Sequence, residues 1–289
     1  MHDSMDIVTR IARCAPTLRP AERKVAQTVL GDIAGAAEMS IQTLAQRAEV
    51  SEASVTRFAR ATGCRDVREL KRRLVQASTV GRRFLDSEAA HPPSSVEGIL
   101  ADISAVLETN RALVQPDAFH AAAETLAAAR MIIVLGTGGG STVMADEMRY
   151  RLARLGLPVA AYHDALFQRM VAATLSAHDV MIVLSISGHV PEIIDSTSIA
   201  REYGARVIAI TAVGSPLADL AHVLLPVQAV ETDFIFKPSS SRYALMMMVD
   251  LLATEVAVQQ TDRSQELLRR AKYVLDAHRG GGNRQPLGD

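Results

Sequence analysis

The chain has 289 residues and a nearly even charge balance, with 31 Lys and Arg against 32 Asp and Glu. This length leaves room for two domains with sizeable cores. There is no apolar run as long as a membrane span and no secretory signal pattern, and Cys14 and Cys64 lack metal-ligand spacing. We therefore expect a cytoplasmic protein with reduced thiols, no membrane association, no bound metal and no cofactor.

The two ends of the chain differ in charge. Residues 1–80 carry 13 Lys and Arg against 9 Asp and Glu, whereas residues 84–289 carry 16 against 23. The basic excess is concentrated in residues 51–83, which have 9 basic and 3 acidic side chains. A basic segment on an acidic body indicates a polyanion partner for the small end only. Charge alone favours the simpler alternative, in which these side chains form a solvated helix face. The sequence motifs are needed to choose between this alternative and a polyanion-binding segment.

Residues 1–80, the basic end of the chain, have apolar residues at helical spacing and no strand pattern. Ser40 caps a short helix, and Ser51 caps the next one over residues 52–62. A tight break at Glu49 separates them, and Ala45 is the small residue that a steep crossing of two short helices needs. The spacing predicts a helix-turn-helix. A left-handed Glu49 would cost about 1–2 kcal/mol in this turn, which is tolerable.

The second helix of this motif is expected to read DNA in the major groove, and the basic helix after it to contact phosphates. The predicted DNA-binding residues are Ser51, Ala53, Ser54, Thr56, Arg57, Arg60 and, on the later helix, Arg72. The same basic stripe includes Arg65, Arg68, Lys71 and Arg73. A purely structural helical hairpin is the alternative, but the capping serine, the small crossing residue and the outward arginines together favour DNA binding.

A polar stretch rich in Pro and Ser then predicts a linker, beyond which short apolar strands alternate with helical patterns. Such alternation is typical of a doubly wound parallel sheet with helices on both faces. The predicted strands are residues 131–135, 158–161, 180–184, 206–211 and 223–227. The predicted organisation is an all-α helix-turn-helix domain at 1–80, a linker at 81–95, an α/β domain at 96–279 and a disordered tail at 280–289.

Two loops follow predicted strands and are rich in small and hydroxyl-bearing residues. Residues 136–141 (Gly-Thr-Gly-Gly-Gly-Ser) follow the first strand, and residues 185–188 (Ser-Ile-Ser-Gly) follow the third. Because such loops direct backbone N–H groups, hydroxyls and helix N-termini to one edge of the sheet, we expect a phosphorylated ligand there. A dinucleotide fingerprint is the alternative for the first loop. It needs an acidic residue that falls late, at Asp164, and it leaves the second loop unexplained.

The motifs occur in a fixed order, in residues 44–58, 139–145, 179–188 and 209–218 and in the Ser241-Arg242 helix with Asp250. This ordered set resembles the MurR/RpiR family of bacterial transcription regulators, from residue 6 to residue 275. Members join a helix-turn-helix domain to a sugar isomerase (SIS) domain with a flavodoxin-like sheet. The resemblance implies that Ser141, Ser185 and Ser187 hold the phosphate of a sugar phosphate, while Gly140 and Gly188 permit close backbone approach.

This chain departs from the family pattern at one position of the second loop. The family usually has a threonine two residues after the loop glycine, and here that position is Val190. One hydroxyl contact to the phosphate is therefore missing. Either His189 supplies a replacement donor, or the anionic group of the ligand is not a phosphate. Glu231, which precedes the last large helix, is a further candidate to contact the ligand.

These features predict a DNA-binding regulator of carbohydrate-metabolism genes that senses a sugar phosphate or sugar acid and is not an enzyme. A homodimer or higher homo-oligomer is expected, because one short recognition helix reads too few base pairs for useful specificity. The alternative is a phosphosugar isomerase with an accessory DNA-binding domain, which would move a proton with a carboxylate or a histidine. The candidates for that chemistry are His163, Asp164, His189, Glu192 and Glu231.

Overall fold

The computed structural model describes residues 5–78, 96–230 and 239–280, which fall into two compact units. The predicted linker at residues 81–95 lies outside the described residues, as do Glu231 and the predicted tail from residue 281 onward. The predicted domain boundaries therefore remain predictions.

The amino-terminal unit is helical throughout its described residues, as the sequence predicts. Its helices are α1 (Ile7–Cys14), α2 (Pro20–Gly31), α3 (Ile33–Glu38), α4 (Ile41–Arg47), α5 (Glu52–Ala61) and α6 (Val67–Ser78). Apolar residues from all six helices meet in one core, in which the largest fully buried side chains are Ile11, Leu44, Phe58, Leu70 and Leu74.

Helices α1 and α3 are additional to the helices that the sequence pattern predicts. Each begins after an aspartate that accepts a hydrogen bond from a backbone N–H in the first turn. The carboxylate of Asp6 accepts from Thr9 at 2.9 Å, and that of Asp32 accepts from Gly35 at 2.8 Å. Because such a cap satisfies a donor that the helix itself cannot pair, it allows short helices to form in this unit.

The carboxyl-terminal unit contains a five-stranded parallel sheet with helices on both faces. Its strands are β1 (Met131–Gly136), β2 (Val159–Tyr162), β3 (Asp179–Ser185), β4 (Arg206–Thr211) and β5 (Val223–Pro226). Its helices are α7 (Val96–Arg111), α8 (Pro116–Ala127), α9 (Gly139–Arg154), α10 (Ala165–Ala172), α11 (Pro191–Glu202), α12 (Ser241–Gln259) and α13 (Thr261–His278). The predicted doubly wound α/β fold is confirmed.

The strand order is β2-β1-β3-β4-β5, which is the flavodoxin-like order. Strand β1 pairs with β2 on one side and β3 on the other, so that Leu135 lies opposite both Tyr162 and Val183. The chain winds outward in opposite directions from β1 and β3, which makes the gap between them the topological switch point. Ligands of such sheets bind at the carboxyl edge at this point, where the loops after β1 and β3 lie.

Alternate residues of each strand enter two separate apolar cores. On one face Ile132 and Val134 belong to a core with residues of α8, α9 and α12. On the other face Ile133 and Leu135 belong to a core with residues of α10 and α11. The methionine-rich part of α12 faces the first core with Met248, which is fully buried. The two cores fix the strands, and hence the positions of the loops at the carboxyl edge.

Candidate functional sites

The loop after β1 turns sharply back over the strand. A Cβ atom at Gly136 would lie 2.2 Å from the carbonyl oxygen of Ser141, so only glycine fits there. Gly138 has a φ of 82° and is the N-cap of α9. Ser141 therefore lies inside the first turn, where backbone N–H groups have no partner within the helix. This end of α9 offers donors and a positive dipole end to an anion.

The loop after β3 is held by its own hydroxyl groups. The Oγ of Ser185, a residue only 4% exposed, accepts a hydrogen bond from the backbone N–H of Gly188 at 3.1 Å. The Oγ of Ser187 accepts from the backbone N–H of His189 at 3.3 Å, and Nδ1 of His189 donates to the carbonyl of Ser187 at 2.7 Å. Each serine hydroxyl still has its own proton to donate, so both remain suited to an anion.

Gly188 is required by the packing of the protein itself. Its φ is 67°, and a Cβ atom there would lie 2.1 Å from the Oγ of Ser215 and 2.5 Å from the Oγ1 of Thr211. The close backbone approach expected at Gly188 is therefore made to these two hydroxyl groups. Gly140, by contrast, faces open space, because a Cβ atom there would have no heavy atom of the described neighbours within 4 Å.

A cleft of about 390 Å³ lies at the carboxyl edge, between the first loop and the start of α12. Its lining residues are Thr137, Gly138, Gly139, Gly140, Ser141, Ile186, Ser239, Ser241, Arg242 and Leu245. The cleft thus contains Gly140 and Ser141 from the predicted set and reaches the second loop at Ile186. Ser185, Ser187, Gly188 and His189 belong to the adjoining loop and do not line it.

The sequence pattern does not predict a role in the site for two of these lining residues. The Oγ1 of Thr137 is buried and has no hydrogen-bond partner among the described residues. Arg242 is the cationic side chain of the lining; its guanidinium donates to the carbonyl of Ser239 and the hydroxyl of Tyr243, both at 3.1 Å. The sequence signals for Arg242 are its place in the Ser241-Arg242 motif and its position as the basic residue that closes a run of serines before an apolar helix.

The acid–base candidates lie elsewhere. Nε2 of His163 is 3.0 Å from the Oδ2 of Asp146, and Asp164 caps α10 by accepting from the backbone N–H of Phe167 at 2.7 Å. Glu192 is in the first turn of α11. No histidine, aspartate or glutamate lines the cleft in the described part of the chain.

In the amino-terminal unit, the turn between α4 and α5 has a left-handed residue at the predicted tight break. Glu49 has a φ of 53°, and its carboxylate lies 3.0 Å from the Nζ of Lys24. Ser51 is the N-cap residue of α5, but its hydroxyl contacts the Oγ of Ser54 at 3.0 Å instead of a backbone N–H. Helices α4 and α5 pack around the buried Ala45, as the helix-turn-helix prediction requires.

The predicted outward face of α5 needs one correction, at Ser54. This residue is 4% exposed, and its Oγ accepts a hydrogen bond from the Nη2 of Arg57 at 2.9 Å. It lies at the border of the helix face that packs on α2, and its hydrogen bond holds the guanidinium of Arg57 on the exposed side of that border. Ala53, Arg57 and Arg60 are exposed and Thr56 is half-buried, so these side chains are available to DNA.

The basic stripe, which begins at Arg65 and continues along α6, is partly neutralised. Glu69 accepts from the backbone N–H and the guanidinium of Arg65 and from the guanidinium of Arg73, which hold the pKa of Glu69 at about 2. Arg72 is exposed and forms no ion pair within the described ranges, so it stays suited to a phosphate contact. Two of the five cations in the stripe are therefore committed to the fold.

The chain matches two family models. A helix-turn-helix domain of the rpiR family matches residues 5–79, and a SIS domain matches residues 125–255. The HTH-type transcriptional regulator HexR of Pseudomonas aeruginosa is 35% identical over 261 residues, which are 89% of this chain and 91% of that protein. The chain belongs to the rpiR family. The rpiR-family protein described here is thus a DNA-binding transcriptional regulator with a SIS domain, as the resemblance implies.

Two other relatives and one solved structure are also similar to this chain. HexR of Escherichia coli K12 is 30% identical over 95% of this chain and 96% of its own length. The Bifunctional protein glk of Burkholderia thailandensis is 32% identical over 91% of this chain, which spans only 42% of that protein. The structure of Vibrio vulnificus NanR complexed with ManNAc-6P has the same fold, with a TM-score of 0.59 at 20% identity over 93% of this chain and 98% of that one. No described helix is long and apolar enough to cross a membrane.

Proposed function

We propose that this rpiR-family protein regulates carbohydrate-metabolism genes and binds a sugar phosphate or a related anionic effector at the carboxyl edge of its sheet. The observation that carries the proposal is the polarity of the cleft. It combines the first turn of α9, the unpartnered hydroxyl of Thr137 and the guanidinium of Arg242, and its described lining has no carboxylate. A site built from donors and one cation suits an anion.

The proposed contacts to the effector come from both loops. Gly140 and Ser141 supply backbone donors and a hydroxyl, and Ser185 and Ser187 supply two further hydroxyls. His189 is the proposed replacement for the threonine that the family has at Val190. NanR of Vibrio vulnificus, which has the same fold, was solved as a complex with ManNAc-6P, and this supports a phosphorylated sugar as the class of effector.

The protein acts, in this proposal, by binding the effector and not by converting it. The proton-transfer candidate His163 contacts the carboxylate of Asp146, and Asp164 caps a helix. The operator contacts are Ser51, Ala53, Thr56, Arg57, Arg60 and Arg72. The protein would use two copies of α5 on related half-sites and so would be a homodimer or a higher homo-oligomer, with a linker at residues 81–95.

A thermal-shift screen against phosphorylated sugars and sugar acids tests this function. A ligand at a hundredfold its dissociation constant adds about 2.7 kcal/mol of stability, or roughly 5–10 °C in Tm for a unit of this size. Inorganic phosphate and the unphosphorylated sugars are the controls. We expect at least one anionic sugar derivative to raise Tm well above both controls. Turnover of any of these compounds by the purified protein would contradict the proposal and favour the isomerase alternative.

A further inference from the structure

A buried carboxylate of the amino-terminal unit lies beside the helix that is proposed to read DNA. Glu22, on α2, is only 7% exposed, and its Oε1 lies 3.8 Å from the Nε of Arg57 on α5. A charged side chain buried to this degree needs a partner, because an unpaired carboxylate in an apolar interior is strongly disfavoured. Arg57 supplies that partner from the helix that faces DNA.

The guanidinium of Arg57 is held at two points on one edge. Its Nε faces Glu22, and its Nη2 donates to the Oγ of Ser54 at 2.9 Å. The Oγ of Ser54 is in turn 3.0 Å from the Oγ of Ser51, so the side chains of Arg57, Ser54 and Ser51 form a chain of contacts. The side chain of Arg57 is nevertheless 49% exposed. One edge of the guanidinium therefore contacts protein while the rest of it faces solvent.

This arrangement fixes which N–H groups remain for DNA. The edge formed by Nε and Nη2 is turned toward Glu22 and Ser54, which leaves the edge formed by Nη1 and the second N–H of Nη2. Two parallel N–H groups on one edge match the O6 and N7 acceptors of guanine or two phosphate oxygens. A guanidinium that is already oriented also loses less side-chain entropy on binding.

We propose that Glu22 is a positioning residue of the DNA interface: together with Ser54, it orients Arg57 so that the Nη1/Nη2 edge faces the operator. The inference rests on the proposed DNA-binding role of Arg57 and adds to it a residue that does not itself touch DNA. Glu22 also accepts a hydrogen bond from the backbone N–H of Arg19 at 3.3 Å, which caps α2. The test must separate these two roles.

The test uses the full-length protein and a duplex that the parent selects from a random-sequence DNA pool, with an unrelated duplex as the non-specific probe. Glu22→Gln keeps the shape of the side chain and an oxygen for the cap but removes the charge. We expect about two- to tenfold weaker binding of the selected duplex. Binding of the unrelated duplex should stay equal or become tighter, because a negative charge has been removed from a DNA-binding unit.

Three comparisons make the outcome decisive. In the Arg57→Ala background, Glu22→Gln should change binding of the selected duplex less than about twofold, since it acts through Arg57. Ser54→Ala leaves the α2 cap intact and should likewise weaken binding of the selected duplex but not of the unrelated duplex. If Glu22→Gln lowers Tm, the Ser54→Ala variant replaces it as the test. Glu38→Gln, an equal charge change at an exposed site of the same unit, should not reduce binding of the selected duplex.

The outcomes that overturn the inference differ from those that overturn DNA binding. Equal losses on both duplexes, or the same loss with and without Arg57, would show that Glu22 only supports the fold. Parent-like binding of the selected duplex by both Glu22→Gln and Ser54→Ala would show that Arg57 needs no positioning. A parent protein that enriches no sequence from the pool would contradict DNA binding itself, and the inference with it.

Discussion

The two edges of the parallel sheet use their polar groups in opposite ways. At the amino edge, the fully buried carboxylate of Asp179 accepts two hydrogen bonds from Arg130, at 3.0 and 2.6 Å, and two from Ser176, at 2.9 and 2.8 Å. At the carboxyl edge, the hydroxyl of Thr137 is buried without a partner in the described chain, and the first turn of α9 opens into the cleft. An unpaired buried group costs about 1–3 kcal/mol. The sheet is thus held together at one edge and keeps unpaired donors at the other, where a ligand would satisfy them.

Two glycines at the carboxyl edge separate folding from ligand binding most sharply. Gly188→Ala would place a methyl group against Ser215 and Thr211 at a positive φ, so we expect a loss of about 2–5 kcal/mol of stability from strain and overpacking. Gly140→Ala meets open space in the first turn of α9 and should fold at least as well as the parent, but its methyl group enters the cleft and should weaken effector binding. Chemical denaturation and effector titration of both variants check this. A Gly188→Ala protein as stable as the parent would contradict the distinction between Gly188, which the fold requires, and Gly140, which the effector site requires.

Removal of the carboxylate at the amino edge should cost stability and leave the effector site intact. We expect Asp179→Ala to lose about 2–3 kcal/mol of unfolding free energy, because four hydrogen bonds to a buried charge disappear. Burial raises the pKa of Asp179, but the hydrogen bonds from Arg130 and Ser176 outweigh it and hold the pKa below its ordinary value. The stabilisation is therefore present above the unfolded pKa of about 3.9 and is lost as the pH falls through the lower folded value.

Denaturation of the parent and Asp179→Ala at a series of pH values measures this contribution. The difference in stability between the two proteins should shrink as the pH falls below about 4. Effector affinity at neutral pH should be the same for both. A weakened effector response in the folded Asp179→Ala protein would show that the two edges are not separate in function.

The same contrast between paired and unpaired groups extends to α6, with the smallest expected effect. Arg72→Ala should weaken binding to all DNA sequences about equally and reduce the slope of log K against log salt by about 0.9, as for one lost phosphate contact. Arg73→Ala is the matched control, because its guanidinium is already paired with Glu69 at 2.9 Å. That variant should change the salt slope less. Equal slopes for the Arg72→Ala and parent proteins would remove Arg72 from the interface.

Local patterns predict the strands and the principal helices well. Each predicted strand lies within one residue of an observed one, because buried parallel strands are continuous apolar runs between turn signals. The left-handed Glu49 also follows from local spacing, since the turn between two crossing helices leaves few alternatives. The short helices α1 and α3 are less visible, because each depends on an aspartate cap and on packing within the core and not on a long periodic pattern.

The remaining details of the sites depend on contacts between distant segments. Ser54 sits at the border of the buried face of α5, and its burial is decided by α2, which lies more than twenty residues earlier in the chain. The cleft brings Arg242 to Thr137 across more than a hundred residues of sequence. The role of Gly188 in packing against Thr211 and Ser215 requires the neighbouring strand β4. None of these contacts has a periodic signal in the sequence.

The most direct test of the account is an effector titration of operator binding with the Ser185→Ala/Ser187→Ala protein. The effector is the compound that gives the largest thermal shift to the parent, and the control is Thr174→Ala, which removes an exposed hydroxyl group outside the cleft. The hydroxyl groups of both loop serines are proposed to bond the anionic group, and a hydrogen bond to a charged group contributes about 1.5–3 kcal/mol.

We predict that the Ser185→Ala/Ser187→Ala protein binds operator DNA like the parent in the absence of effector. It should need at least about tenfold to a hundredfold more effector to respond, whereas Thr174→Ala should respond as the parent does. A double variant that responds at the same effector concentration as the parent would contradict the account, because it would show that the loop after β3 does not hold the anionic group of the effector.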